Sequence, residues 1–145
     1  RKWGIKPFWN NNIQLINARY ESYSYKNTFR ELKRCAFFTD GFYEWKKDGK
    51  NKIPFYHFIK EGFFFFAGLY NEIECCILTQ NNKIKNYNIH DRQPVCINNN
   101  FVKQWLQNSK VVEFSNYFYF HQVTSLVNYP KNNNENLIKN FEKYS

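Results

Sequence analysis

The sequence predicts a single domain of the α+β class, built mainly from antiparallel strands with a few short helices. Its centre is a succession of short runs rich in aromatic and β-branched residues, which are typical of strands. The segments KDGK and KEG separate neighbouring runs and have the composition of hairpin turns. No repeat or linker divides the chain, so we expect one domain over residues 1–145.

The first third of the chain predicts one strand and one helix. The opening RKWGIKPFW combines basic and aromatic residues around Pro7, which predicts a strand that ends in a loop. The segment NTFRELKR predicts a short helix, because Thr28 and Glu31 have the spacing of a capping box.

A series of strands follows this helix. Turn signals join neighbouring runs, so these strands are expected to pair as an antiparallel meander. The predicted strands are Arg34 to Phe38, Gly41 to Lys46, Pro54 to Ile59, Phe63 to Tyr70 and Cys75 to Thr79.

The last third of the chain predicts a second helix and two more strands. The helix is expected from Phe101 to Gln107, with Asn100 as its cap. Strands are expected at Lys110 to Phe114 and at Tyr119 to Thr124, and PKNNNEN is expected to form a loop.

The composition indicates a soluble protein with a real core. The 145 residues are 43% hydrophobic and 21% aromatic, which is enough to fill one core. The longest apolar run, GFFFFAGLY, has the length of a buried strand and falls well short of the ~20 residues of a membrane span. No membrane association is expected.

The net charge of +9, with aromatic residues spread among the basic ones, is typical of a groove for single-stranded nucleic acid. The abundance of Asn, Lys, Ile, Phe and Tyr has a second explanation, because an A/T-rich genome enriches all five. The charge therefore permits a nucleic-acid partner without requiring one.

The cysteines and histidines indicate no metal site, and no cofactor is expected. Cys35, Cys75, Cys76 and Cys96 lack C-x-x-C spacing, and adjacent strand residues point to opposite faces. The three histidines are far apart in sequence, without a chelating spacing. A reducing compartment fits this cysteine usage best.

Glu44 is an acid inside the aromatic strand DGFYEWK. Strand periodicity places it on one face with Asp40 and Phe42. It is either a solvated glutamate on a wet face or a carboxyl that exchanges protons beside apolar surface.

Three stretches put polar side chains among hydrophobic ones: NARYES, DGFYEWK and IHDRQPV. Each has a structural explanation when taken singly. Arg19 and Glu21 would pair across one face, His90 would be a core histidine, and Asp91 with Arg92 would close a turn.

Taken together and in this order, the three stretches resemble the SRAP family, the SOS-response-associated peptidases that process abasic sites in single-stranded DNA. The resemblance runs from WGIKPFW through FRELKRCAFFTDGFYEWKK, PFYHF, FAGLY and ILT to HQVTSLVN, and so covers nearly all of the chain. It implies an SRAP-like pseudo-barrel of antiparallel strands.

The resemblance also implies an enzyme that crosslinks itself to DNA. In this family an N-terminal cysteine offers a free α-amine that condenses with the abasic aldehyde, and its thiol closes a thiazolidine. The same cysteine serves autoproteolysis. No cofactor is implied, and the expected partner is single-stranded DNA with abasic sites.

The resemblance assigns roles to individual residues. Glu44 would position the amine and exchange protons with the opening sugar, His90 would assist proton transfer, and Asn17 would orient the cysteine. These roles suit an amine and a thiol that are mostly protonated at neutral pH and need proton acceptors close by.

DNA contacts are expected from residues in the same motifs. Arg19 and Arg92 would hold flanking phosphates bidentately. The aromatic opening would wedge or stack beside the lesion, although ordinary core aromatics are an alternative. The DNA-binding set is Trp3, Pro7, Phe8, Trp9, Arg19, Arg92 and His121.

The chain enters the family pattern at WGIKPFW, without the segment that carries the cysteine, and it contains no methionine. We therefore expect this chain alone to be inactive. Two other functions stay open: a non-catalytic binder of single-stranded nucleic acid, and a thiol peptidase acting on other proteins. The expected location is the cytoplasm, at the nucleoid, in a bacterium or the nucleus in a eukaryote, with no obligate protein partner.

Overall fold

A computed structural model describes residues 1–60, 62–84, 87–107 and 118–141 and has the predicted α+β character, with much strand and little helix. In these ranges the strands are β1 (Lys2–Trp3), β2 (Asn17–Arg19), β3 (Lys33–Thr39), β4 (Gly41–Asp48), β5 (Asn51–Phe58), β6 (Phe64–Tyr70), β7 (Glu74–Asn81), β8 (Arg92–Pro94), β9 (Cys96–Ile97) and β10 (Tyr119–Gln122). The helix α1 covers Val102–Leu106, and short 3-10 turns lie at Asn99–Phe101, Ser125–Asn128 and Glu135–Ile138.

The described strands form two sheets, and no closed barrel is seen among them. The first sheet has the order β1-β7-β6-β3, with β2 and β8 also paired to β7 and β9 to β6. The second sheet has the order β10-β5-β4. Strands β1 and β2 run parallel to β7, a pairing that the sequence did not predict.

The central strands were predicted close to their observed bounds, but the predicted meander forms only in part. β4 pairs with β5 and β6 pairs with β7, both antiparallel, as expected. β3 pairs with β6 and not with β4. Only Asp40 separates β3 from β4, which is too short for a hairpin, and Thr39 stabilises the bend by donating its hydroxyl to the Gly41 carbonyl (2.6 Å). The chain therefore turns from the first sheet into the second at this corner.

The two predicted hairpin turns have different outcomes. The KDGK turn is confirmed: Asp48 pairs with Asn51, and Gly49 takes a φ of 58°, which favours glycine. The KEG segment joins β5 to β6, and these strands lie in different sheets. It is therefore not a hairpin turn.

The helix predicted around NTFRELKR is not formed. Residues 20–32 make successive turns, with hydrogen bonds such as Phe29 N–H to Lys26 O (2.9 Å) and Leu32 N–H to Phe29 O (3.0 Å). Glu31 pairs with Arg30 (3.2 Å) instead of closing a capping box. So short a segment gains too few helical hydrogen bonds to offset the cost of nucleation.

The second helix is confirmed, and its cap differs from the predicted one. Asn98 and not Asn100 accepts the capping bond, and the 3-10 turn at Asn99–Phe101 leads into α1. Trp105 of α1 is fully buried and donates its indole N–H to the Cys35 carbonyl (2.7 Å), which fixes the helix against β3.

The C-terminal predictions are confirmed where the structure describes them. The strand expected at Tyr119 to Thr124 is β10, which ends two residues earlier at Gln122. PKNNNEN is a loop as far as Asn134, which caps the 3-10 turn that begins at Glu135. The strand predicted at Lys110 to Phe114 lies outside the described residues. No helix within the described residues is long and apolar enough to cross a membrane.

β6 separates two cores because its side chains alternate between its faces. Ala67 and Leu69 belong to the first core, together with Trp105. Phe64 belongs to the second core, where Phe66 makes an edge contact with Phe42 of β4 (5.8 Å between ring centroids). The two sheets therefore pack through aromatic rings.

His57 lies in this aromatic layer without exposure to solvent. It stacks on Phe42 (4.6 Å) and Phe120 (5.4 Å), and the edge of Tyr87 meets its ring at 5.5 Å. The backbone of Phe42 and Phe55 lies near its ring nitrogens, but neither nitrogen has a well-formed hydrogen bond among the described residues. Burial lowers the pKa of His57 from 6.5 to about 4.

We expect the His57→Phe variant to be less sensitive to acid than the wild type. In the unfolded chain His57 is protonated below its ordinary pKa of 6.5, whereas in the folded chain it is protonated only near pH 4. The stabilising contribution of the neutral ring is therefore complete above pH 6.5 and is lost as the pH falls from 6.5 to about 4. Urea unfolding at pH 7 and pH 5 measures the difference. His90→Gln, which removes an exposed imidazole, is the control; equal losses on acidification in wild type and His57→Phe would contradict the assignment.

Candidate active site

Strand β7 brings two of the polar motifs together. Arg19 of β2 pairs with Thr79 on one edge of β7, and Arg92 of β8 pairs with Asn81 on the other. Side chains from both motifs line an open cleft of about 610 Å³. The cleft is lined by Leu15, Asn17, Arg19, Glu21, Ser22, Tyr25, Lys26, Phe29, Asn81 and Arg92.

Arg92 is held inside this cleft by the protein itself. Its guanidinium binds both oxygens of Glu21 (3.0 Å each) and donates to the Asn81 side chain (2.7 Å) and the Thr79 carbonyl (2.7 Å). The predicted free fork for a phosphate is therefore already occupied. The structural alternative in which Arg19 pairs with Glu21 does not form, because Glu21 pairs with Arg92.

The same network keeps Glu21 ionised. Burial alone raises the pKa of this carboxyl, but hydrogen bonds from Arg92, from its own backbone and from the Asn81 N–H (2.9 Å) outweigh it, and the pKa falls to about 2. Glu21 and Arg92 thus form a fixed ion pair that joins the end of β2 to the start of β8.

Asn17 and Arg19 are exposed in the same cleft. Neither side chain is engaged in a hydrogen bond with the described part of the chain. A guanidinium in this state offers its full fork to an anion. Arg19 is therefore the better placed of the two arginines for a phosphate.

Glu44 lies on the open edge of the second sheet. Among the described strands β4 lies at the edge of its sheet, and Glu44 accepts the N–H of Trp45 (3.1 Å). This bond holds the carboxylate at the rim of a cleft of about 360 Å³. The cleft is lined by Glu44, Trp45, Lys47, Lys52, His90 and Asn128.

His90 shares this cleft with Glu44, as the prediction of a joint role requires. His90 Nδ1 lies 3.0 Å from the Arg92 backbone N–H and 3.2 Å from the Arg92 carbonyl. The Arg92 backbone therefore holds the ring through Nδ1, and Nε2 is the ring nitrogen left for a ligand.

A third cleft adjoins the clefts of the two motifs. This cleft has a volume of about 570 Å³. It shares Asn81 with the cleft of Arg19 and His90 with the cleft of Glu44. We call these three clefts the groove. It is bordered by Arg19, His90 and Glu44, and Asn17 lines the cleft of Arg19.

The aromatic opening divides into exposed and buried residues. Phe8 and Trp9 are 74% and 60% exposed, and Trp3 makes an edge contact with Phe37 (5.4 Å) while remaining partly exposed. Pro7 is fully buried, so it shapes the loop and cannot contact DNA directly. Phe8 and Trp9 keep the surface that a stacking role needs.

His121 lies away from Glu44. Its partner in the β10–β5 register is Tyr56, which pairs with Tyr43, and strand alternation places this row on the face opposite Glu44. The ring of His121 lies near Phe58 (5.5 Å) and its Nε2 lies 2.7 Å from the Ile138 carbonyl. These contacts are structural.

Three of the four cysteines are poor nucleophiles. Burial raises the pKa of Cys35 to about 11 and that of Cys76 to about 12, and it raises the pKa of the completely buried Cys96 as well. Cys75 is also buried. Within the described ranges, no group of three His, Cys, Asp or Glu side chains is placed to hold a metal ion.

Sequence reasoning missed several residues of the groove. Asn81 and Tyr87 lie in no motif, and Asn128, the last residue of HQVTSLVN, was given no role. Strand pairing and packing bring all three to the groove. Lys47 and Lys52 lie in KKDGKNK, a segment whose composition predicted only a turn.

Comparisons with known proteins identify the family of this chain. The family model described as SOS response associated peptidase (SRAP) matches residues 1–130. The abasic site processing protein YoqW of Bacillus subtilis (strain 168) is 36% identical over 167 aligned positions, covering 95% of this chain and 74% of that protein. The abasic site processing protein YedK of Escherichia coli (strain K12) is 29% identical, covering 94% and 72%.

A solved structure shows the same fold. A crystal structure of a Bacteroides thetaiotaomicron protein superposes with a TM-score of 0.76 at 23% identity, covering 95% of this chain and 74% of that one. Motifs, family model and relatives therefore agree, and the chain belongs to the SOS response associated peptidase (SRAP) family.

Proposed function

We propose that this chain is the DNA-binding and catalytic domain of a protein that processes abasic sites in single-stranded DNA. The observation that carries the proposal is the cleft shared by Glu44 and His90 at the open edge of β4. A carboxylate and an imidazole N–H on one accessible rim are the pair that an amine and an opening sugar need for proton exchange. The names of relatives such as YoqW and YedK support the same substrate.

The proposed reaction joins a cysteine to the abasic aldehyde. The free α-amine of an N-terminal cysteine attacks the aldehyde carbon, water leaves, and an imine forms. The thiol then adds to the imine carbon and its proton passes to the nitrogen, which closes a thiazolidine. Glu44 accepts protons from the amine, His90 donates through Nε2 to the departing oxygen, and Asn17 orients the cysteine. The same cysteine would serve autoproteolysis.

The groove suits a single strand. Arg19 and Lys26 line one end, and Lys47 and Lys52 line the other. Backbone phosphates carry the charge that such side chains bind, while the exposed Phe8 and Trp9 offer faces for stacking beside the lesion. Arg92 contributes by holding the groove in shape.

We expect salt-sensitive binding of single-stranded DNA with little sequence preference, because phosphate contacts and stacking do not read base edges. Fluorescence anisotropy over a salt series measures this binding. Arg19→Gln should reduce the salt dependence, and Arg30→Gln, which removes the same charge outside the groove, is the control. Equal affinity at low and high salt, or tighter binding of intact duplex, would contradict the proposal.

Glu44→Gln in a product that carries the N-terminal cysteine should slow adduct formation by roughly 10²-fold and leave DNA affinity nearly unchanged, since a proton acceptor acts on the barrier. His90→Ala should show a smaller loss. Glu72→Gln removes an exposed carboxyl in the β6–β7 turn and is the control. Single-turnover gel assays give the rates, and a wild-type rate for Glu44→Gln would return Glu44 to the role of a solvated strand residue.

The residues 1–145 alone should give no heat-stable adduct with an abasic oligonucleotide, whereas the same chain extended upstream to begin Met-Cys should give one. Ring closure needs an amine and a thiol on one residue, and the four internal cysteines lack the amine. Burial also suppresses the thiolates of Cys35, Cys76 and Cys96. Denaturing gels of both proteins decide the matter. A stable adduct from residues 1–145, or none from the extended protein, would overturn the mechanism and favour a non-catalytic binder.

A further inference from the structure

The hairpin of β4 and β5 holds two lysines that face each other. Lys47 and Lys52 are direct partners in the register, and both are exposed. Like charges placed directly opposite each other on an antiparallel pair are destabilising. Neither lysine has an acidic partner in the part of the chain that the structure describes, so nothing there relieves the repulsion.

The same two lysines line the cleft of Glu44 and His90. Lys50, at the tip of the same hairpin, does not line it. Strand alternation puts the two lysines on the hairpin face that carries Trp45, and the cleft spans the edge of β4 to reach Glu44. The paired charges therefore border the same cleft as Glu44, which Lys50 does not. An anion between the two ammonium groups would convert their repulsion into two attractions.

We infer that Lys47 and Lys52 form a second phosphate site, which binds one DNA phosphodiester on the Glu44 side of the abasic sugar. This inference rests on the proposed function. Arg19 binds the strand at the far end of the groove, so the two sites hold the backbone on both sides of His90. Arg19 and the two lysines then position the lesion at Glu44 through contacts with the DNA backbone alone.

The neighbouring Trp45 ring and the chemistry of lysine both suit a phosphate site here. The Trp45 indole donates to the Asn128 side chain (2.8 Å) and is thereby fixed at the wall of the cleft. Its aromatic face is available beside the phosphate site for the base next to the lesion. Lysine ammonium groups, unlike arginine forks, bind a phosphate as mobile point charges and so tolerate movement of the strand during reaction.

The first test measures binding to a short single strand with a tetrahydrofuran abasic analogue, which cannot react. We expect Lys47→Gln and Lys52→Gln each to weaken binding roughly 3- to 10-fold and to reduce the slope of log K against log salt by about 0.7. Lys33→Gln in β3 and Lys50→Gln at the hairpin tip remove the same charge elsewhere and should leave the slope close to that of the wild type. Equal effects at all four lysines would overturn the inference.

The second test locates the phosphate. Single methylphosphonate linkages, which are neutral, are moved along the strand around the analogue. We expect a linkage on one side of the lesion to weaken binding by the wild type but not by the Lys47→Gln/Lys52→Gln double variant. If every linkage affects both proteins equally, the two lysines do not bind a particular phosphate.

Folding and function are controlled separately. Since the substitutions remove like-charge repulsion, the thermal midpoint of each variant should equal or exceed that of the wild type; a lower midpoint would contradict the unrelieved repulsion on which the inference rests. If the wild type itself fails to bind single strands with salt sensitivity, the proposed function fails. If it binds normally and the lysine variants match Lys33→Gln, only the second phosphate site fails.

Discussion

The pairing of β7 with strands on both of its edges is the constraint on which the groove depends. β1 and β2 run along one edge in parallel, and β6 and β8 run along the other in the antiparallel sense. This arrangement brings Glu21 and Arg92, 71 positions apart in sequence, into a bidentate ion pair. Each backbone hydrogen bond contributes only about 1 kcal/mol, but together they fix which side chains meet. A slip of one residue in β2 would turn Asn17 and Arg19 to the other face.

The polar residues of the groove divide into those that hold it and those that remain available. Arg92, Glu21 and the Nδ1 atom of His90 are engaged in internal bonds, so they set positions. Asn17, Arg19 and the rim of the Glu44 cleft face solvent, where a ligand can reach them. Such a division is what pre-organisation requires, because groups held by the protein lose no further freedom when substrate arrives.

The sequence predicted the local features well and the long-range ones poorly. The central strands, the KDGK turn and the second helix follow from residue type and spacing, and the joint cleft of Glu44 and His90 agrees with the family motifs. Sheet membership was missed, because alternation shows that a segment is a strand and not which strand it bonds. The partner of Arg92 depends on that missing pairing. The opposed Lys47 and Lys52 were not predicted as site residues, because the turn signal KDGK accounts for their segment. Their cleft also depends on Asn128 and His90, which packing brings beside them.

The single-residue corner at Asp40 also determines where the chain can vary. β3 and β4 are one continuous extended segment bent between two sheets, with the Thr39 hydroxyl closing the bend. An added residue there would shift the alternation of β4 and move the Glu44 carboxylate from the groove to the opposite face. The exposed Gly49–Lys50 loop bears no such restriction, because it lies beyond the last paired residues of its hairpin. Length differences between relatives should therefore accumulate at the hairpin tip, and the corner should keep its length wherever the chemistry is kept.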